Sequence, residues 1–302
     1  MNWSKDTSES EPGFRERYSK GTGMKRLFII TCALFVLTPY PPTVSAFELD
    51  TSVRVVRDLF GTSHEPGSAV EPGLNVELLT RFYSVLSDQF ALVVQGERHT
   101  VTGNTLLSRI HVSEGVFDFG VGASLGILNS LATPAVPGFT ALLRTNIGET
   151  VFVQAELIES LGGSGASYGQ VDARAGFGVY NAEVVVFYDN RRAARQGDAV
   201  IRRTVSRYGT TVDVFKSGVP YGLNFMLAWR TESMEDGSTV DSLMGVTGGA
   251  GLSYQLNDAL RIGLDFSTDI FLIGTGNLTG ASLNSPFTYQ AGAFVRYSAL
   301  ND

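Results

Sequence analysis

The side chains able to do chemistry in this chain recur at alternate positions. Asp118, Arg144, Glu156, Asp172, Arg174, Asp213, Arg230, Arg261, Asp265 and Arg296 each fall on the more polar side of a two-residue period. Successive side chains of an extended strand point to opposite faces, so this spacing gathers them on one face of a sheet. A face of mixed acids and arginines either pairs across strands as a static core or lines a water-filled pore and sets its ion preference. A second concentration spans residues 189–207, where Arg191, Arg192, Arg195, Arg202, Arg203 and Arg207 stand against only Asp189 and Asp198. In an acidic chain that asymmetry fits an exposed loop that meets sulfated glycans, other anionic host surfaces or lipopolysaccharide-like headgroups. A solvated loop of no specificity is the plainer reading of the same charges.

Catalytic constellations are sparse. The histidines are His64, His99 and His111. His64 sits among prolines and glycines, and the other two fall where the alternation is least clear. His99, Glu97 and His111 converge only if residues 90–112 form one hairpin, which would give a metal or acid/base site. No two histidines have helical ligand spacing, and no serine lies in a nucleophile motif. Gly162, Gly163 and Gly165 are followed by neither a Lys-Ser/Thr pair nor a helical pattern, so they read as a loop rather than a phosphate cradle. The expectation is that the chain is not an enzyme and carries no metal or cofactor.

The chain has 23 basic and 30 acidic residues and a net charge of −7. Met24-Lys25-Arg26 precedes an apolar run from Leu27 to Leu37 and a small-residue site at Val44-Ser45-Ala46, the layout of a secretory signal peptide cut after Ala46. Eleven apolar residues are too few to span a bilayer as a helix. Residues 1–23 are hydrophilic and precede a serviceable start at Met24, so they read as an extension from a mis-assigned start. Residues 24–46 read as the signal and 47–302 as the mature domain. Cys32 leaves with the signal, so no disulfide framework is expected. The remaining 17 basic and 26 acidic residues give −9, which argues against nucleic acid as a partner.

Nothing after residue 47 approaches an eighteen-residue apolar run, which excludes helical spans. Alternating segments separated by turn signals take their place. They begin with Phe47 to Val55 and Leu74 to Val85, then a blurred pair within 90–112. Clean alternation follows over Phe117 to Ile127, Phe139 to Ile147, Val151 to Leu157 and Val171 to Val179. The remaining segments run over Val184 to Tyr188, Tyr208 to Val214, Tyr221 to Trp229, Met244 to Tyr254, Leu260 to Phe266 and Phe287 to Ala299. Short turns near 88, 114, 148, 181, 218 and 257 alternate with mostly longer loops, and the more apolar face carries aromatics near strand ends. A secreted soluble sheet would also alternate; the aromatic girdle and the mid-strand charges favour a membrane barrel.

The last segment puts Phe287, Tyr289, Ala291, Ala293, Val295, Tyr297 and Ala299 on one face, with Phe294 the single apolar exception on the other. Through Gln290, Gly292, Val295 and Tyr297 it resembles the C-terminal insertion signal of bacterial outer-membrane β-barrels: a polar residue, a glycine two on, then hydrophobics at alternate positions. Such barrels usually end on an aromatic, whereas Ser298 to Asp302 follow here. The resemblance implies an outer-membrane location, insertion by the barrel-assembly machinery, contact with outer-membrane lipid, and a porin-like or OmpW-like protein.

The expected fold is therefore all-β: a transmembrane antiparallel up-and-down β-barrel of about 14 strands, with twelve and then eight to ten as alternatives. The expected function is a passive channel for small solutes, with both termini periplasmic and long loops on the surface of a diderm bacterium. The alternatives are a surface adhesin using Arg191, Arg192, Arg195, Arg202 and Arg203, or an OmpW-like barrel for small hydrophobic molecules. For the last, Leu107, Leu142, Phe152, Phe187 and Phe294 would supply apolar patches on the inner face.

Overall fold

A computed structural model describes residues 46–58, 60, 73–128, 135–148, 150–162, 166–196, 200–215, 219–235, 239–275 and 287–300. They form fourteen antiparallel strands. In chain order these are β1 (Ala46–Asp58), β2 (Gly73–Val85), β3 (Phe90–His99), β4 (Gly103–Glu114), β5 (Phe117–Ile127), β6 (Val136–Ile147) and β7 (Val151–Ser160), followed by β8 (Ala166–Val179), β9 (Ala182–Gln196), β10 (Val200–Phe215), β11 (Tyr221–Glu235), β12 (Val240–Gln255), β13 (Leu260–Thr275) and β14 (Phe287–Leu300). Each pairs with its neighbours in sequence, and β1 closes on β14 from Ala46↔Leu300 to Arg57↔Tyr289. Closure leaves no strand edge unpaired, the condition for a sheet to cross a bilayer.

Side-chain period decides what each face meets. Val121, Leu227 and Leu264 are 67%, 65% and 63% exposed, and every strand contributes outward apolar residues of this kind. In water such a surface would aggregate; against acyl chains it is the stable arrangement. The inward positions carry the charges and the close-packed contacts. Strands of 10 to 16 residues meet or exceed the roughly 9–11 needed for a tilted span. Such a surface on a closed antiparallel barrel defines a membrane-spanning β-barrel protein.

Chain economy differs between the two ends. At what we call the turn end, β4 and β5 are joined through Gly115, whose φ of 60° is the left-handed region that glycine occupies without a Cβ clash. Tyr180 makes the β8–β9 turn with a φ of 51°. The opposite, loop end carries residues 59–72 and 276–286 between strands. The expectation of generally long loops there is corrected: β3–β4, β9–β10 and β11–β12 are joined by residues 100–102, 197–199 and 236–239 only. The strands simply run further than their cleanest alternation, because polar and charged residues continue the inward period beyond the bilayer thickness.

The blurred region resolves into two full strands, paired from Phe90↔Val112 to His99↔Gly103. Its blur has a cause: Val93 and Leu107 point inward into an apolar cluster with Leu128, Val136, Ile158 and Tyr168, so both faces are apolar. The Tyr168 hydroxyl donates to Ser124 Oγ at 2.9 Å, linking β8 to β5 inside the barrel. Phe294, the exception in the final strand, lies over Gly263, where a Cβ would come within 2.3 Å of its ring. Residues 1–23 and the signal segment, Ala46 excepted, lie outside the described residues.

Candidate functional site: the charged lumen

The strand parity that exposes apolar residues to lipid directs a set of ionisable residues inward, and their strand positions sort them into three levels. Near the turn end, Arg296 bridges Asp50 at 3.1 Å and Glu48 at 3.3 Å. Arg261 donates to Gln255, and Asp213 accepts from Asn224 at 2.7 Å. Arg144 sits 4.8 Å over the Phe152 ring and donates to Asn146. Asp118 meets His111 Nδ1 at 3.1 Å, while His111 Nε2 accepts from Arg109 Nε at 2.8 Å. That second bond leaves the proton on Nδ1, so the imidazole is held between an acid and an arginine as a neutral link.

From mid-height toward the loop end an internal cavity of about 400 Å³ opens. It is lined from β1, β2, β3 and from β7 through β14, but not from β4 to β6. That side is occupied by the apolar cluster and by Arg109, which donates to Glu156 at 2.8 Å. The lumen is therefore off-centre. Arg174 forks onto Asp172 at 2.7 and 2.9 Å, and Arg54 donates to Asp265 at 3.1 Å. Arg81 bonds Gln95 at 2.9 Å and makes no ion pair among the described residues.

Toward the loop end the interior narrows. Arg191 on β9 reaches Glu97 on β3 at 2.5 Å, and Arg203 on β10 reaches Asp58 on β1 at 2.7 Å. Arg203 also holds Glu232, and Arg230 bridges Glu232 and Asp269. Thr247 and Thr288 donate to Asp269, completing its shell. The β3–β4 connection is drawn in between these walls. Thr100 N–H and hydroxyl both donate to Glu77, and Arg203 donates to the Thr100 carbonyl at 3.4 Å. Val101 and Thr102 are buried as a result. Beside them Phe60, Met234, Leu243 and Phe271 form a second apolar cluster.

All ten residues expected on the polar face do point inward. Glu156, Asp172, Arg174, Arg230 and Asp265 line the cavity, whereas Asp118, Arg144, Asp213, Arg261 and Arg296 gather near the turn end. In the final strand Gln290 and Gly292 face inward, and Val295 and Tyr297 face outward.

The reading of 189–207 as a loop is corrected: β9 continues to Gln196 and β10 begins at Val200. Arg191 and Arg203 are interior and bound to carboxylates. Arg192 and Arg202 face outward at the loop end, paired with Glu159 and Glu235. Arg195 pairs by its backbone with Ala166 and Ile201.

The conditional convergence of His99, Glu97 and His111 does not occur, although the hairpin forms. Antiparallel register sends His99 to the loop end and His111 opposite Ala91 near the turn end. His99 instead lies 3.4 Å from Glu77. His64 lies outside the described residues.

Interior residues absent from the expected set are chiefly Asp58, Glu77, Arg81, Arg109, Arg207, Glu232 and Asp269. Most sit where strands run on into segments read as loops or blurred. Extending the inward parity of β9 past Tyr188 would have reached Asp189 and Arg191.

No protein-family model matches the chain, and no curated protein matches its sequence. Solved structures are similar in fold. A bacterial polysaccharide outer membrane secretin has a TM-score of 0.47 at 11% identity, covering 84% of this chain and 99% of the other. The anion-selective porin from Comamonas acidovorans gives 0.40 at 10%, covering 85% and 99%. The outer membrane channel DcaP of Acinetobacter baumannii gives 0.40 at 12%, covering 85% and 97%. Likeness at this level assigns neither a function nor a site.

Proposed function

We propose that this chain is a passive channel in the outer membrane of a diderm bacterium, with its loop end outward, for small hydrophilic solutes. The observation that carries this reading is the polar cavity of about 400 Å³ inside a closed lipid-facing barrel, bordered by the inward-drawn β3–β4 connection. A barrel of fourteen strands encloses more space than its inward side chains fill, unlike an eight-stranded one. The residual space here is lined by ionisable groups, which favour water and charged or polar solutes over apolar ones. The two apolar clusters and the cross-lumen pairs narrow the path, so the channel passes solutes of metabolite size and excludes oligomers.

Planar-bilayer recording of the refolded chain tests this. Stable ohmic steps are expected, and their blockage by sugars of increasing size would measure the constriction. A folded barrel that inserts and passes no current would overturn the reading.

A further inference from the structure

The interior contains more carboxylates than arginines, yet the charges facing the cavity are not a sample of that balance. Among the charged cavity-lining residues, the carboxylates of Glu97, Glu156, Asp172 and Asp189 are each 9% exposed or less. Asp265 reaches 27%, but Arg54 and Arg174 are 43% and 52% exposed. Arg81 is also exposed and has only the neutral Gln95 as its partner among the described residues. The acids are the less exposed partners: Asp172 and Asp265 are held by Arg174 and Arg54 themselves, and Glu97, Glu156 and Asp189 by Arg191, Arg109 and Arg207. An ion in the cavity is thus nearer to guanidinium than to carboxylate, and because the interaction falls with distance, the nearer charge decides.

The placement of these cations adds a second feature. β1 and β8 are seven strands apart in a ring of fourteen, so Arg54 and Arg174 project from opposite walls. Both line the same cavity. Arg54 engages Asp265 through Nε alone, and its two terminal nitrogens have no partner among the described residues. Arg174 uses Nε and Nη2 on Asp172 and keeps Nη1. Each wall thus retains N–H donors suited to a carboxylate or other oxyanion.

We infer that the cavity is an anion-selective filter, in which Arg54 and Arg81 on one wall and Arg174 on the other take small organic carboxylates. This rests on the channel reading for its transport part; the binding part stands separately. The prediction runs against the acidic net charge of the chain, which alone would favour cations.

Two measurements decide it. In a potassium chloride gradient the reversal potential of the parent barrel is expected to show chloride preference. In the triple variant Arg54→Gln, Arg81→Gln, Arg174→Gln the chloride-to-potassium permeability ratio should fall about threefold or more. Arg174→Lys should retain the preference, because it keeps the charge. Calorimetric titration of succinate into the refolded barrel in detergent should saturate for the parent and vanish for the triple variant. Cation preference in the parent, or an unchanged ratio in the triple variant, would overturn the filter. Succinate binding by a barrel that passes no current would sink the channel and leave the anion site standing. Current without succinate binding would do the reverse.

Discussion

Arg203 and Asp58 are 145 residues apart in sequence and meet inside the barrel through two contacts, 2.8 and 2.7 Å, from one guanidinium nitrogen to both carboxylate oxygens. They come from β10 and β1, so their contact crosses the lumen rather than following the sheet. Arg203 is also the donor that holds the Thr100 carbonyl, and hence the β3–β4 connection, between the walls. One buried guanidinium thus joins three separate parts of the ring.

Removing that guanidinium leaves Asp58 and Glu232 buried without their shared cation. Arg203→Met is expected to destabilise the barrel by about 3 kcal/mol in denaturant unfolding from detergent micelles. The double variant Asp58→Asn, Arg203→Met should recover part of the loss. Equal stability of parent and single variant would show that the contact carries no structural weight.

The Arg191–Glu97 pair also crosses the interior, from β9 to β3. Arg191→Ala should widen the path and raise single-channel conductance by about twofold. The matching truncation at the outward-facing Arg192 should leave conductance unchanged. Identical conductance in all three proteins would place the narrowest point elsewhere.

Gly122 and Gly248 separate close approach from open space. A Cβ at Gly122 would lie 1.9 Å from the Ser108 carbonyl oxygen on the neighbouring strand, whereas at Gly248 nothing lies within 4 Å. Gly122→Ala must shift backbone, and we expect a cost of about 3 kcal/mol with slower refolding. Gly248→Ala should change stability by less than about 0.5 kcal/mol. Gel-shift assays of folded against unfolded barrel, run across a denaturant series, read both.

Leu264 is on the lipid face of β13, opposite Leu252 and Ala293 on its neighbours. Leu264→Arg should cost on the order of 2–4 kcal/mol in lipid vesicles, since the charge must leave water for acyl chains. Asp265→Asn, one residue on, points into the lumen and should cost well under that. If the two substitutions were equally tolerated, the assignment of faces would be wrong.

Much of this was legible because a strand's side-chain period is two, and membrane and lumen impose opposite demands on the two phases. Alternation in segments such as Phe117 to Ile127 therefore determined strand identity, face and order of connection, while the strand number stayed open between fourteen, twelve and fewer. It also marked Glu156, Asp172, Arg174, Arg230 and Asp265 as inward. Where both faces are apolar, as at Val93 and Leu107, period carries no signal, and the residues of the β3–β4 hairpin do not show which face is which. The run of arginines after Tyr188 looked like a loop because charge density is shared by loops and by strand ends beyond the bilayer. Which arginine meets which acid was not in the sequence at all. Arg203 with Asp58, or Arg54 facing Arg174, depends on closure of the ring, on the register that closure sets, and on the clusters that push the lumen to one side. Those are properties of the assembled sheet: residues five strands apart come into contact, and residues seven strands apart come to face each other, only once the first strand has paired with the last.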